Sequence, residues 1–358
     1  MFILNRIVFA LNGLAILALL LSYTAPYVSP ELYWPIAFLG LAYPAIVAAH
    51  FLFIIYWIAV FKLKFLYSFV ALLLGYSFIP SYVQVNAKRS SEKENMIRVM
   101  DFNAKNFGTI EKTKKDPEKF FEDLNKVNPD ILCFQEFRDN DMSKKKPVTK
   151  GLFQKLKKYY SYNVYDGNGE WRGSDYVIFS RFPIVDSGIV EQQENTFNIS
   201  LFVDIVAYGD TIRIINTHLQ SIRFDAPDYN AVKNITSVDD STVSAYTRIS
   251  RKLKVAFVKR AKQAQAVRDF IDLSPYKVIV LGDFNDSPSS YAYRTVKGAL
   301  KDSFIQSGSG LGRTYVGAMP SFRIDYILHD AAFTSFNYYA RAFDFSDHKM
   351  VTCSIKVK

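Results

Sequence analysis

The hydrophobic pattern divides the chain near residue 87. Three stretches, 7–30, 32–61 and 65–87, are almost free of charge. Each can hold the roughly 20 apolar residues that cross a bilayer. They predict three transmembrane helices, over about 7–27, 34–61 and 65–84, in a membrane anchor spanning 1–87. Pro35, Gly40 and Pro44 in the second stretch are tolerated in membrane helices, and Tyr33, Trp34, Tyr56 and Trp57 stand towards its ends as an aromatic belt would. A cleaved signal peptide is the competing reading of the first stretch. Ser22-Tyr23-Thr24-Ala25 is a poor cleavage site and two further apolar stretches follow, so a retained span is expected. His50, deep in the second span, is expected to be a neutral ring bonded to a neighbouring helix.

Residues 88–95 are polar and read as a linker, and beyond them the period changes. Short β-rich runs at 97–102, 130–135, 176–179, 199–205, 212–216, 278–281 and 324–328 alternate with helical segments. Asp116-Pro117 marks a helix start, followed by an apolar face of Phe120, Phe121 and Leu124. The segment 244–273 is helical, with Leu253, Ala256, Phe257, Ala264, Val267 and Ile271 on one face. The polar, Asp-rich stretch 224–243 reads as a loop, and alternation from Val351 to Val357 predicts a closing strand with one buried face.

Charge follows the same division. Three basic residues and one acid before Lys88 carry +2 of the net +10, and the C-terminal part carries the rest. A basic domain suits a polyanionic substrate or an anionic membrane surface, and also a merely soluble surface. Arg6 and the Lys62/Lys64 loop place those ends inside and the domain after the third span outside, although Lys88, Arg89 and Lys93 pull the other way. Cys133 and Cys353 both sit in apolar runs and are expected to be buried free thiols.

Polar residues recur where strands end: Asn103, Gln135-Glu136, Asn216-Thr217-His218, Gly282-Asp283-Phe284-Asn285-Asp286, Arg323-Ile324-Asp325 and Ser346-Asp347-His348. One such cluster is turn chemistry; six point to one rim of a sheet. Carboxylates suit a hard divalent cation such as Mg²⁺. A further carboxylate can activate water, and amides with an imidazolium can stabilise a pentacoordinate phosphorus. The chain has neither a zinc-type Cys or His pair nor a Walker-type glycine loop.

The series Asp-Phe-Asn103, Phe-Gln-Glu136, Ile-Phe-Ser180-Arg181-Phe-Pro, Asn-Thr-His218-Leu, Gly-Asp283-Phe-Asn285-Asp, Arg-Ile-Asp325-Tyr-Ile and Ser-Asp347-His348 resembles the endonuclease/exonuclease/phosphatase superfamily, over residues 96–358. The resemblance implies an α+β fold, a four-layer α/β/β/α sandwich of two mainly antiparallel sheets, here preceded by the three spans. It implies Glu136 as main metal ligand with Asn103 beside it, Asp347 at a second position or supporting the first, and Mg²⁺ (or Mn²⁺) as cofactor. It implies Asp283 activating water, Asn285 binding the phosphate, His348 held as an imidazolium by Asp325, and His218 binding phosphate or protonating the leaving oxygen. Arg181 is a phosphate contact or an outward structural residue.

The expected function is thus membrane-anchored hydrolysis of a phosphodiester or phosphomonoester. The substrate is a phospholipid headgroup, a nucleic acid or a nucleotide, the other partner is the lipid bilayer, and no obligate protein partner is evident. The expected location is a bacterial inner membrane with the catalytic domain extracytoplasmic. The alternative is a catalytically inactive, membrane-tethered binding module of the same fold, which the presence of every catalytic group disfavours.

Overall fold

The structure is a computed structural model and describes residues 2–86, 94–107, 117–137, 148–164, 176–190, 198–233, 240–317 and 322–357. The apolar N-terminal part forms α1 (Phe2–Ser22), a single helical turn at Pro30–Tyr33, α2 (Pro35–Ala59) and α3 (Phe65–Leu74). Pro30 opens the turn, and Ser29 caps it by accepting from the Glu31 N–H. Two helices, α1 and α2, are long and apolar enough to cross a membrane.

The third expected span departs from the sequence reading. Helix α3 stops after 10 residues and gives way to 3-10 turns at Tyr76–Ser81 and a short strand, β1 (Val83–Val85). Gly75 ends the helix where a Cβ would lie 2.1 Å from the Tyr23 ring. Pro80 then denies the chain an N–H for further helix. Within the three helices, Asn12, His50 and Ser68 are fully buried. His50 Nδ1 bonds Ser68 Oγ at 2.9 Å, and Ser68 Oγ donates to Asn12 Oδ1 at 2.8 Å.

Beyond residue 94 two six-stranded sheets form. Sheet I uses β2 (Met96–Asn103), β3 (Ile131–Gln135), β4 (Tyr160–Val164), β5 (Tyr176–Ser180), β13 (Thr334–Ala342) and β14 (Lys349–Lys356), in the order β13-β14-β2-β3-β5-β4. Sheet II uses β6 (Ile184–Val190), β7 (Ser200–Ala207), β8 (Asp210–His218), β9 (Lys277–Asp283), β10 (Lys301–Asp302) and β12 (Asp325–His329), in the order β10-β12-β9-β8-β7-β6. The short β11 (Ser309–Leu311) pairs antiparallel with β1. The inner faces meet in an aliphatic core that includes Val99, Ile131 and Ile178 from sheet I and Val203, Ile214, Ile279 and Leu281 from sheet II.

Helices cover the outer faces. Phe120 and Leu124 of α4 (Pro117–Val127) and Leu152 of α5 (Val148–Lys155) pack on Phe102, Phe134 and Phe179. On the other side, Ala264, Val267 and Ile271 of the 33-residue α7 (Asp240–Asp272) pack on Ile215 and Val280, beside Ala292 and Val296 of α8 (Tyr291–Lys297). This is the layered α+β sandwich expected. The stretch 224–243 is not one loop: Ala226–Lys233 forms helix α6, α7 starts at Asp240, and 234–239 lie outside the described residues. The reason is tertiary, since buried Asp228 takes Arg248 at 2.8 Å and Lys252 at 2.5 Å from α7. The start of the expected linker, Asp116 and Asp239 also lie outside the described residues.

The N-terminal helices seat directly on the sandwich. Ser289 Oγ donates to the Gly40 carbonyl at 3.1 Å, and Tyr82 bonds the same hydroxyl. At Gly40 a Cβ would lie 2.8 Å from the Ser289 carbonyl oxygen, so only glycine permits this approach. Phe38 meets Phe257 edge-on at 5.2 Å, and Arg294 stacks 3.9 Å above Tyr27.

Candidate active site

Strand direction places the site. Each sheet has one parallel pair at its centre, β2 with β3 and β8 with β9. Their C-terminal ends therefore stop at the same rim, with Asn103 opposite Gln135 and His218 opposite Asp283. Strand β12 runs antiparallel to β9, so its first residue, Asp325, pairs with Asp283. Strand β14 begins just after His348. Gly282 makes the turn feasible: its φ is +146°, and a Cβ there would sit 1.8 Å from the Thr217 carbonyl oxygen. Glu136 and Asn285, just past their strands, both adopt left-handed backbone, with φ of 48° and 53°.

The side chains interlock. Asn103 Nδ2 donates to Asp283 Oδ2 at 3.0 Å and to Glu136 Oε1 at 3.2 Å. The Asn285 N–H donates to Asp283 Oδ1 at 2.8 Å, and Asn285 Nδ2 donates to the Leu219 carbonyl at 3.0 Å. His348 Nδ1 lies 2.9 Å from Asp325 Oδ1, and its Nε2 lies 3.7 Å from Asp283 Oδ2. Asp347 is paired with Lys105. Thus Asn103, Glu136, His218, Asp283, Asn285, Asp325, Asp347 and His348 come together at one rim.

Arg181 does not join them. Strand β5 runs antiparallel to β3, so its C-terminal end points to the opposite rim. There Arg181 bonds Asn128, Asp130 and Tyr159. The same direction brings Tyr176, at the start of β5, to the site.

Burial and charge set the protonation pattern. Burial pushes His348 down, but Asp325 and Asp283 outweigh it and hold the ring up to about 10, an imidazolium at neutral pH. Burial together with the His348 charge pushes His218 down to about 3, so this ring is neutral. Asn198 Nδ2 lies 3.0 Å from His218 Nε2, and Tyr176 lies 3.0 Å from Nδ1. Burial, opposed by His348 and reinforced by Asp325, raises Asp283 to about 7.

Several supporting residues escaped the sequence reading. Ser346 Oγ accepts from the His348 N–H at 3.0 Å and donates to the Asn103 carbonyl at 2.8 Å, tying β14 to β2. Buried Arg260 of α7 lies 3.1 Å from Asp286 and donates to the Asn285 carbonyl, fixing the loop after β9. Beneath the site, Gln135 Nε2 donates to both Asp101 and Asn216 at 2.7 Å, linking the two sheets. Burial first, then Asp325, pushes the Asp101 carboxyl well above its ordinary value. These roles depend on cross-strand neighbours, and only the Ser-x-His spacing carried any local signal.

A cavity of about 380 Å³ opens over the cluster, lined by Lys105, Glu136, Asp283, Asn285, Asp347 and His348. Its other wall is mostly apolar and includes Leu41 of α2, together with Arg223 and Tyr229. A larger cavity of about 700 Å³, between Tyr27 and α8, is lined by neither carboxylate nor imidazole. Asp283, Asp325 and His348 offer ligand atoms within 4.8 Å of one another. The oxygen donors Glu136 and Asp347 face the same cavity, and Asp347 Oδ1 is buried without a hydrogen-bond partner.

No curated protein sequence matches the chain. Solved structures share the fold. A truncated Caenorhabditis elegans TDP2 matches at 18% identity over 73% of this chain and 98% of its own, with a TM-score of 0.50. Humanized D. rerio TDP2 matches at 16% identity over 73% and 99%, with a TM-score of 0.51. An endonuclease/exonuclease/phosphatase family protein from Bacteroides thetaiotaomicron matches at 18% identity over 73% and 97%, with a TM-score of 0.50. Residues 5–82 match a domain of unknown function (DUF8431). Residues 102–348, more than half of the chain, match the endonuclease/exonuclease/phosphatase family model, and the chain belongs to that family.

Proposed function

We propose that the protein is a membrane-anchored, divalent-metal-dependent hydrolase of phosphate esters. The observation that carries this reading is the pairing, in one buried cluster, of a cationic His348 with an Asp283 raised to about 7. A proton acceptor with a value near neutral pH and a fixed positive charge beside it are what water attack on a phosphate requires.

The carboxylates fit a hard cation: Glu136, one third exposed to the cavity, and Asp347 would supply oxygen ligands, whereas the Asn103 amide turns its Nδ2 to Glu136 and Asp283 and its Oδ1 to the Lys105 N–H. The trio of Asp283, Asp325 and His348 fits less well, because His348 is already bound to Asp325 and cationic. A bound divalent ion would neutralise charge on the phosphoryl oxygens. In this reading Asn285 and His348 hold the phosphate, and Asp325 keeps His348 charged and oriented. Asp283 takes a proton from water as the new oxygen–phosphorus bond forms. The bond to the leaving oxygen breaks, and that oxygen departs with a proton from His348 or from water. His218, neutral, orients Asp283 and the phosphate, and Arg181 braces the opposite rim.

The arrangement also supports an anchoring reading. The catalytic layers contact the start of α2, whereas Arg6, Lys62 and Lys64 lie at the far end of the helices. Basic residues at that end favour a catalytic domain on the extracytoplasmic face. Hydrolysis of a soluble diester by the full chain with Mg²⁺, compared with EDTA, tests the chemistry; full activity in chelator would overturn metal dependence. Protease shaving of intact cells tests the side, and a protected domain would reverse it.

A further inference from the structure

We propose that the substrate is a membrane phospholipid, with its phosphodiester at the catalytic rim and an acyl chain in a groove between the anchor and the sandwich. This deepens the hydrolase reading and rests on it and on the helices lying in a bilayer.

A second cavity, of about 400 Å³, adjoins the catalytic one. Its walls include Tyr43, Pro44, Val47 and Phe51 from α2, Leu72 from α3, and Ile79. Phe322 lines both cavities. Helix α2 also runs along both, since Leu41, about one turn before Pro44, lies in the catalytic wall. The path from the N-terminal helices to the catalytic residues is thus bounded mostly by apolar side chains, with Arg313 and the buried Arg323 also in the groove wall. Its described lining in the groove contains no carboxylate.

The occupant follows from this continuity. Phe51, on a helix long and apolar enough to cross a membrane, and Ile79, in the 3-10 turns that share the groove with it, are both more than half exposed. A chain lying there leaves its glycerol phosphate at Phe322 and Ile324, beside Asp325 and His348. The catalytic cavity's remaining wall sets Ile222, Phe224, Ile249 and Leu253 beside Arg223 and Tyr229. The reaction is hydrolysis: water adds its oxygen to phosphorus, one of the two ester bonds breaks, and the released alcohol keeps the proton that water gave up.

The test uses the full chain in nanodiscs with Mg²⁺. Matched phosphodiester lipids carrying butanoyl or palmitoyl chains are compared with bis(4-nitrophenyl) phosphate and a single-stranded oligonucleotide. Ile79→Trp and Val83→Trp fill the groove from exposed positions outside the catalytic cluster. Wild type should favour the palmitoyl substrate by at least about tenfold in kcat/KM, since remote apolar burial is spent at the reacting centre. Both variants should lose that preference and keep the wild-type rate on the soluble diester. Rates independent of chain length, an unchanged preference in both variants, or faster cleavage of the oligonucleotide would each overturn the groove while leaving the hydrolase standing. Failure of wild type on every diester, the soluble one included, would remove the hydrolase reading and the groove with it.

Discussion

Two buried ion pairs lie two residues apart on the same strand entry, and they do opposite work. Arg323 turns to one side, where its guanidinium meets Asp302 at 2.7 and 2.9 Å. Tyr293 and the Phe304 N–H complete the carboxylate, and the rings of Phe304 and Tyr326 flank the cation. Asp325 turns to the other side and holds His348, which also borders a cavity and a second carboxylate. The first pair is closed to titration, because each partner favours the charged form of the other, although Arg323 also borders the groove beside α2. The second uses a titratable cation and keeps one ring nitrogen turned towards Asp283. Equal burial thus gives a fixed ion pair in one case and, in the proposed mechanism, a working cation in the other, and the difference is the titratable ring beside a second carboxylate.

The largest effect should come at the open pair's neighbour. Asp283→Ala should cut turnover by about 10⁴-fold while the melting temperature stays near wild type; a rate within tenfold of wild type would remove Asp283 from the mechanism. Next is the closed pair. Asp302→Ala leaves Arg323 buried without its partner and should cost about 3–5 kcal/mol in denaturant unfolding, and the double change with Arg323→Met should recover part of it. His348→Ala should lower kcat by about 10²–10³-fold with little loss of stability, and a purely structural histidine would show the reverse. Arg181→Ala, in a half-exposed pair on the opposite rim, should cost at most about 1 kcal/mol and leave kcat unchanged.

Acid sharpens the same contrast. Burial raises Asp302, but Arg323 outweighs it and leaves the folded value below that of an ordinary carboxylate. Its stabilisation is therefore present above the unfolded carboxylate value and is lost as pH falls through the lower folded one. A pH series of unfolding midpoints should show that acid loss in wild type and a flatter acid limb in the Asp302→Ala, Arg323→Met double variant. Identical limbs would assign acid unfolding to other carboxylates.

The legible parts of the fold and site are those whose chemistry is local. Gly282-Asp283-Phe284-Asn285 announces a tight strand-to-loop turn, and the β2, β3, β8 and β9 runs announce buried strands. Helix α4 follows from Phe120 and Leu124 alone. Arg181 stayed open between a phosphate contact and an outward structural residue because its motif is local, whereas its rim is set by the antiparallel direction of β5. Asp101, Tyr176, Asn198 and Arg260 matter only through neighbours far along the chain, so no spacing reveals them. The third apolar stretch shows a further limit: hydropathy reports what surrounds a segment, and it reads alike for helix, 3-10 turn and strand. Polarity misled at 224–243 for the converse reason, because Asp228 is buried by cations brought from α7.

The Asn12–Ser68–His50 chain has a consequence outside its own neighbourhood. A helix in an apolar bundle can turn about its axis at little cost, since one aliphatic face packs much like another. A single hydrogen-bonded ring removes that freedom and acts as an indexing pin. His50 lies ten residues, or about 15 Å, along α2 from Gly40. Fixing its azimuth also fixes which face of the helix presents Gly40 to Ser289 and Leu41 to the catalytic cavity. The angular alignment of one wall of the candidate site is thereby set inside the N-terminal helices, by a histidine remote from that site.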